Sequence, residues 1–235
     1  MRTKNSLFKS LSFISLYCIY STAFSASPIS TNQTLSIAKF SIENLEDWKA
    51  KSFKGNTQYS IVEKDGASVL KAESKDTASG LAKEQVIDLF KTPFLNWSWN
   101  IENTLSNLNE TTKDGDDYAA RIYVVKSGGW KIWNTKALNY VWSSNQEKGS
   151  SWNNAFVGDN AKMLAVKGQA DLVNTWVSEK RNVYQDLIKL YGDQGSDKKN
   201  EEAYRYIDAV ALMTDTDNGH QEAVAYYGDI FFSAQ

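Results

Sequence analysis

Carboxylates are the main reactive groups of this chain. Its 235 residues include 28 Asp plus Glu but one His and one Cys, so a His-based triad or a thiolate metal site lacks its components. No Gly-x-Ser-x-Gly elbow, Walker loop, His-Glu-x-x-His pair or dinucleotide glycine fingerprint occurs. His220 follows Asn218-Gly219 and reads as a solvated turn residue rather than a base. Paired acids alone can run glycoside hydrolysis when they face each other at about 5 Å or about 6.5–9.5 Å. Asp114, Asp116, Asp117, Glu179, Asp186, Asp215, Asp217 and Asp229 are the stock for such a pair, or else turn residues and solvated faces.

Two stretches carry more than single acids. Asp215-x-Asp217-Asn218-Gly219 sets alternating hard oxygens on one turn, the donor type a calcium ion takes. It departs from an EF-hand loop, since Gly219 and His220 stand where a ligand and then Gly belong. A structural Ca2+ or a plain Asx-type turn is expected there. In Gly115-Asp116-Asp117-Tyr118-Ala119-Ala120-Arg121-Ile122-Tyr123, strand alternation puts Asp117, Ala119, Arg121 and Tyr123 on one face and Tyr118, Ala120, Ile122 and Val124 on the core face. Arg121 there either neutralises acids on neighbouring strands or holds an anionic or hydroxylated ligand. Glu179 and Arg181 form a similar mixed pair.

Seven of the eight tryptophans divide by context. Trp97, Trp99, Trp142 and Trp176 lie in strand-like segments, the first three in phase with aliphatic residues, which predicts core packing. Trp130, Trp133 and Trp152 lie in polar loops, where exposed rings beside Asn and Asp make a sugar-binding surface or plug the end of a barrel.

These side chains need a scaffold, and the period of the sequence is mostly two. Thr57 to Glu63 and Ser68 to Glu73 flank Lys64-Asp65-Gly66 as a hairpin. Phe94 to Ile101, Tyr118 to Val124, Leu138 to Trp142, Ala161 to Val166, Leu172 to Ser178, Tyr206 to Met213 and Val224 to Phe232 read as further strands. One short helix is predicted over Asn182 to Tyr191, capped by Asn182 and stopped by Gly192. Asn103 to Asp114, Ser127 to Thr135, Ser143 to Asp159 and Tyr191 to Glu202 read as polar loops. Short strands without a βαβ rhythm predict an all-β fold, an antiparallel β-sandwich of jelly-roll type.

Residues 1–25 have the form of a secretory signal peptide: Arg2, Lys4 and Lys9, an apolar run from Leu11 to Tyr20, and Ala23-Phe24-Ser25 before a cleavage near Ser25/Ala26. The apolar run is about ten residues, against about 20 for a membrane span, so no transmembrane segment is expected. Residues 26–35 read as a linker and 36–235 as a single β-sandwich domain. Removing the three leader cations takes the formal charge from −2 to −5 and the only Cys, Cys18, goes with them. A nucleic-acid partner is then disfavoured for want of a basic footprint, and the expected location is periplasmic or secreted.

Several motifs in order, Gly115-Asp116-Asp117-Tyr118-Ala119-Ala120-Arg121, Leu138-Asn139-Tyr140-Val141-Trp142, Glu179-Lys180-Arg181-Asn182-Val183-Tyr184-Gln185-Asp186, Met213-Thr214-Asp215-Thr216-Asp217-Asn218 and Tyr226-Tyr227-Gly228-Asp229-Ile230, resemble an exported bacterial family filed as domain of unknown function 3047. The likeness runs from about Phe40 to Phe232 and implies no activity. In architecture the chain also resembles galactose-binding-like jelly rolls, including carbohydrate-binding modules, through Phe40 with Trp48 and the closing Tyr227-Gly228-Asp229-Ile230-Phe231-Phe232. That resemblance implies Asp229 as a calcium ligand and Asp117, Arg121, Tyr123 and Asn139 as a concave-face set. Together these readings predict a non-catalytic module binding carbohydrate or a related envelope polymer. The alternatives are a polysaccharide hydrolase or lyase working through carboxylates and Arg121, and a structural or partner-binding envelope protein.

Overall fold

The computed structural model describes residues 33–42, 45–129 and 134–235. The signal-peptide reading, Trp130 and Trp133 lie outside them. One sheet contains β1 (Thr34–Ala38), β3 (Gln58–Lys64), β4 (Ala67–Lys75), β6 (Phe94–Ile101), β11 (Val177–Asn182), β13 (Glu222–Tyr227) and β14 (Ile230–Ser233). Its centre is β6, which pairs β11 along one side and β14 then β13 along the other. The second sheet runs β2 (Lys49–Lys54), β5 (Ala78–Asp88), β12 (Tyr206–Asp215), β7 (Tyr118–Lys126), β8 (Lys136–Trp142), β10 (Gly158–Lys167) and β9 (Ser151–Asn154). The fold is an antiparallel β-sandwich of jelly-roll type, with one parallel pair, β8 with β10.

Alternation drives the assembly. Leu95, Trp97, Trp99 and Ile101 of β6 share the core with Ile122 and Val124 of β7, Leu138, Tyr140 and Trp142 of β8, and Val210 and Leu212 of β12. Trp97 and Trp99 meet edge to face at 5.4 Å, Trp97 lies 5.3 Å from Tyr140, and Trp99 lies 5.8 Å from Trp142. Burying each such side chain contributes about 1.5–3 kcal/mol, so this aromatic seam is a principal bond between the sheets. The opposite faces of β7, β8 and β12 are left to carry polar groups.

Several expectations are corrected. A second helix, α2 (Asp197–Tyr204), occupies part of the stretch read as the loop Tyr191 to Glu202. It has little apolar periodicity, but the Ser196 side chain caps it and Tyr204 buries its end, its hydroxyl donating to the Gly192 carbonyl at 2.7 Å. The first helix, α1 (Val183–Tyr191), is capped by Asn182. The strand expected over Leu172 to Ser178 lies later, as β11, and Val224 to Phe232 is two strands broken at Gly228-Asp229. β1 begins at Thr34, inside the stretch read as linker, because Thr34 and Leu35 pair with Ser233 and Phe232. No helix among the described residues is long and apolar enough to cross a membrane.

Candidate functional site

A cleft of about 520 Å³ lies on the face of the second sheet turned away from the core. Its floor comes from the middle strands: Arg121 and Tyr123 of β7, Asn139 of β8, Met213 and Asp215 of β12. Its rims come from both edges, with Phe53 of β2 on one side and Asn154, Phe156 and Val157 at the β9–β10 end on the other. Seven strands spaced about 4.8 Å apart would hold the edges about 29 Å from each other if flat. Sharing one cleft therefore requires the sheet to curl around it.

A bulge sets the chemistry of the floor. In the β7–β12 register Met213 faces Arg121 while Asp215 faces Tyr118, so three steps on β7 match two on β12, and β7 holds one extra residue. Such a bulge re-aims side chains locally. Ala119 and Ala120 both join the core, and Tyr118 turns to the outer face with Val141, Met163 and Ala165. This corrects the assignment of Tyr118 to the core face. The Arg121 guanidinium consequently lies between two rings, 5.0 Å from Tyr118 and 5.3 Å from Tyr123. It is ion-paired to Asp215 and reaches the Met213 sulfur at 3.4 Å, which the Tyr123 hydroxyl also meets at 3.4 Å.

Acids gather at one end of this floor. Asp116 accepts from the Tyr118 hydroxyl at 3.1 Å and from Asn154 Nδ2 at 2.7 Å, and Asn154 Oδ1 in turn accepts from the Phe156 and Val157 amides at 3.0 and 3.2 Å. One residue thus ties the acid to the rim. Asp117 is wholly buried and accepts from Asn218 N, Asn218 Nδ2 and Gly219 N at 3.2, 2.9 and 2.6 Å, which clamps the β12–β13 turn onto the start of β7. Burial raises the pKa of Asp116; burial and the neighbouring acids Asp117 and Asp116 raise that of Asp215 well above the usual carboxylate range, against the pull of Arg121. Burial, then Asp117, also raises Asp217.

Of the residues singled out from sequence, Asp116, Arg121, Tyr123, Asn139, Asp215 and Asp217 line the cleft, and Asp117 holds the turn beside it. Others lie elsewhere. Trp152 packs half-buried against Tyr118 and Met163, its indole N–H donating to the Glu110 carbonyl at 3.2 Å. Glu179 and Arg181 belong to β11, in the opposite sheet, where Arg181 is spent on Asp186 at 2.5 Å. Asp229 accepts from Ser41 N at 3.0 Å and Ser41 Oγ at 2.8 Å, tying the end of β13 to the chain after β1. It is not among the acids grouped with Asp215 and Asp217, whose third member is Asp117. Asp215 and Asp217 therefore stand apart from Asp229 in this fold.

Phe53, Asn154, Phe156 and Val157 also line the cleft, and local period does not reveal them. β2 is an edge strand with every residue exposed, and β9 alternates over only four residues inside a polar stretch, so neither stands out by period. The sequence signal for them is a lone Phe in each polar segment.

Residues 46–231 match a family model described as "Protein of unknown function (DUF3047)". The chain belongs to this family. No curated protein matches the sequence. Among solved structures, the chain is similar to the family 11 carbohydrate-binding module of the cellulosomal cellulase Lic26A-Cel5E of Clostridium thermocellum, at 12% identity and TM-score 0.44, covering 88% of this chain and 97% of that one. It is also similar to the xyloglucanase domain of NopAA, a type three effector from Sinorhizobium fredii solved with cellobiose, at 8% identity and TM-score 0.44, covering 89% and 100%.

Proposed function

We propose that this protein is an exported, non-catalytic module that binds a polysaccharide chain in the cleft of the second sheet. The observation that carries the reading is the distribution of side chains across that cleft: exposed phenylalanines, Phe53 and Phe156, at its rims, and fixed polar groups between them. Pyranose C–H faces stack on aromatic rings, while amides, acids and guanidinium groups take hydroxyls. Asp116, Arg121, Asn139 and Asn154 supply both donors and acceptors along the floor. The signal-peptide form of residues 1–25 supports export.

Binding without turnover is favoured because the floor acids are committed to partners. Asp215 is locked to Arg121, and Asp116 to Tyr118 and Asn154. Affinity electrophoresis and calorimetry against a panel of soluble plant, fungal and bacterial polysaccharides test the proposal. Wild type should bind at least one polymer, and Phe53→Ala plus Phe156→Ala should weaken that binding about a hundredfold while leaving the fold intact. Failure to bind any polymer, or undiminished binding by the double variant, overturns it. Release of new reducing or unsaturated ends, lost in Asp116→Asn, would instead make the protein an enzyme.

A further inference from the structure

Where the cleft meets the β12–β13 turn, one carboxylate oxygen from each of Asp117, Asp215 and Asp217 lies within 4.8 Å of the other two. No other group of three acids or histidines among the described residues converges in this way. Asp117 and Asp215 are 0% and 1% exposed. Acidic proximity alone would leave protons or solvent as the answer, but Asp215 adds a separate observation. Its Oδ2 takes the Arg121 guanidinium, while its Oδ1 is sealed from solvent and accepts no hydrogen bond. A buried charged oxygen without a donor is costly, and a small cation would satisfy it.

The surrounding charges are unbalanced in the same sense. Asp116, Asp117, Asp215 and Asp217 face two cations, Arg121 and Lys54, and Lys54 divides its ammonium between Asp76 at 2.9 Å and the Asp217 carbonyl at 3.1 Å. With all four carboxylates ionised, as a bound cation would keep them, at least two negative charges are left over. The turn is already organised around the gap, since two backbone amides and the Asn218 side-chain amide hold Asp117 in place and a carboxylate offers about four lone-pair sites.

We infer that Asp117, Asp215 and Asp217 bind a divalent, oxygen-seeking cation at the end of the cleft. An all-carboxylate set excludes a preference for zinc or copper, which favour nitrogen and sulfur. Oxygens up to 4.8 Å apart suit Ca2+, whose ligands stand at about 2.3–2.6 Å; Mg2+, at about 2.0–2.1 Å, requires the carboxylates to close in. The ion completes the Asp215 carboxylate and pins the β12–β13 turn to β7. This site stands independently of the sugar reading.

The test is calorimetric titration of the chelator-treated chain with CaCl2 and with MgCl2, without any glycan, alongside thermal unfolding at the same ion concentrations. One Ca2+ per chain is expected, with a raised melting temperature, weaker Mg2+ binding, and at least a tenfold loss of Ca2+ affinity in Asp217→Asn. Asp229→Asn should bind as wild type does. No heat and no thermal shift in folded wild type at 10 mM of either ion overturns the inference and means that Arg121 and Asp215 close on each other unaided. Full binding by Asp217→Asn, or loss of binding in Asp229→Asn, overturns the location. Should Asp217→Asn fail to fold, anomalous scattering from a lanthanide-soaked wild-type crystal locates the ion instead.

Discussion

Phe53 and Phe156 stand at opposite edges of one seven-stranded sheet and border the same cleft. They are 66% and 53% exposed, each with a lysine ammonium over its ring, Lys51 at 5.1 Å and Lys113 at 5.6 Å, so each offers apolar ring surface at the cleft while contributing little to the fold. Two platforms at the ends of one groove suit a linear polymer better than a single sugar.

Because they lie on different elements without a shared partner, their contributions to binding should add. Phe53→Ala and Phe156→Ala are each expected to weaken polysaccharide affinity about tenfold, or about 1.4 kcal/mol, and the double variant about a hundredfold. Urea unfolding should shift by no more than about 0.5 kcal/mol for either surface change. Equal loss in the single and double variants would mean that only one ring touches the ligand.

The Arg121–Asp215 pair makes a stability prediction. Both groups are nearly sealed, at 6% and 1% exposed, and removing one partner of a buried pair costs about 3–5 kcal/mol because the other charge stays behind. Arg121→Met should therefore lose about 3 kcal/mol in urea unfolding, the low end of that range, as burial already holds the Asp215 proton well above its usual pKa. Arg121→Met with Asp215→Asn should recover most of that loss. A double variant as unstable as the sum of the single ones would show that the pair is not coupled.

The parts of this site that sequence reveals are those set by local period. Arg121 and Tyr123 alternate with Ile122 and Val124, so their shared face is readable once β7 is recognised as a strand. Tyr118 breaks the pattern because the bulge at Ala119-Ala120 is visible only in the pairing with β12. β5 is hidden from a reading by period, because its sequence Ala-Ser-Gly-Leu-Ala-Lys-Glu-Gln-Val-Ile-Asp mixes small and charged residues. An added Cβ at Gly80 would stand 2.8 Å from the Leu212 carbonyl oxygen, so close strand packing rather than alternation selects those residues. Asp117 joins Asp215 and Asp217 through a contact between distant segments, and no spacing rule encodes that.

Glu110 gives the chain a pH dependence. It is fully buried, and burial pushes its carboxyl up from 4.5 to about 7, against hydrogen bonds from Ser143 Oγ and Ser144 N that favour the ionised form. The folded chain holds this proton more tightly than the unfolded chain does, so the associated stability is complete below about pH 4.5 and is lost as pH rises to about 7. The ceiling of that loss is roughly 3 kcal/mol at about 1.4 kcal/mol per pH unit. Urea unfolding at pH 5 and pH 8 should show the decline in wild type and a flatter profile in Glu110→Gln. An unchanged slope in the variant would assign the dependence to another group.

Gly115 controls how the acids are presented. An added Cβ would stand 2.4–2.6 Å from the backbone O, C and N of Asn109. Backbone cannot rotate away as a side chain can, and Asn109 is further held by Thr112 N donating to its carbonyl at 2.9 Å. Gly115→Ala must therefore displace the turn that leads into Asp116 and Asp117, at a cost of about 2–3 kcal/mol for overpacking. Gly66, in the β3–β4 hairpin, is the control: it has φ of 80° with nothing within 4 Å of an added Cβ, so Gly66→Ala should cost about 1–2 kcal/mol from backbone conformation alone. Polysaccharide affinity separates the two further. It should fall in Gly115→Ala, where Asp116 and the Asn154 rim move together, and stay at the wild-type value in Gly66→Ala, because that hairpin belongs to the other sheet. Equal affinities in the two variants would show that the 109–115 turn does not position the floor of the cleft.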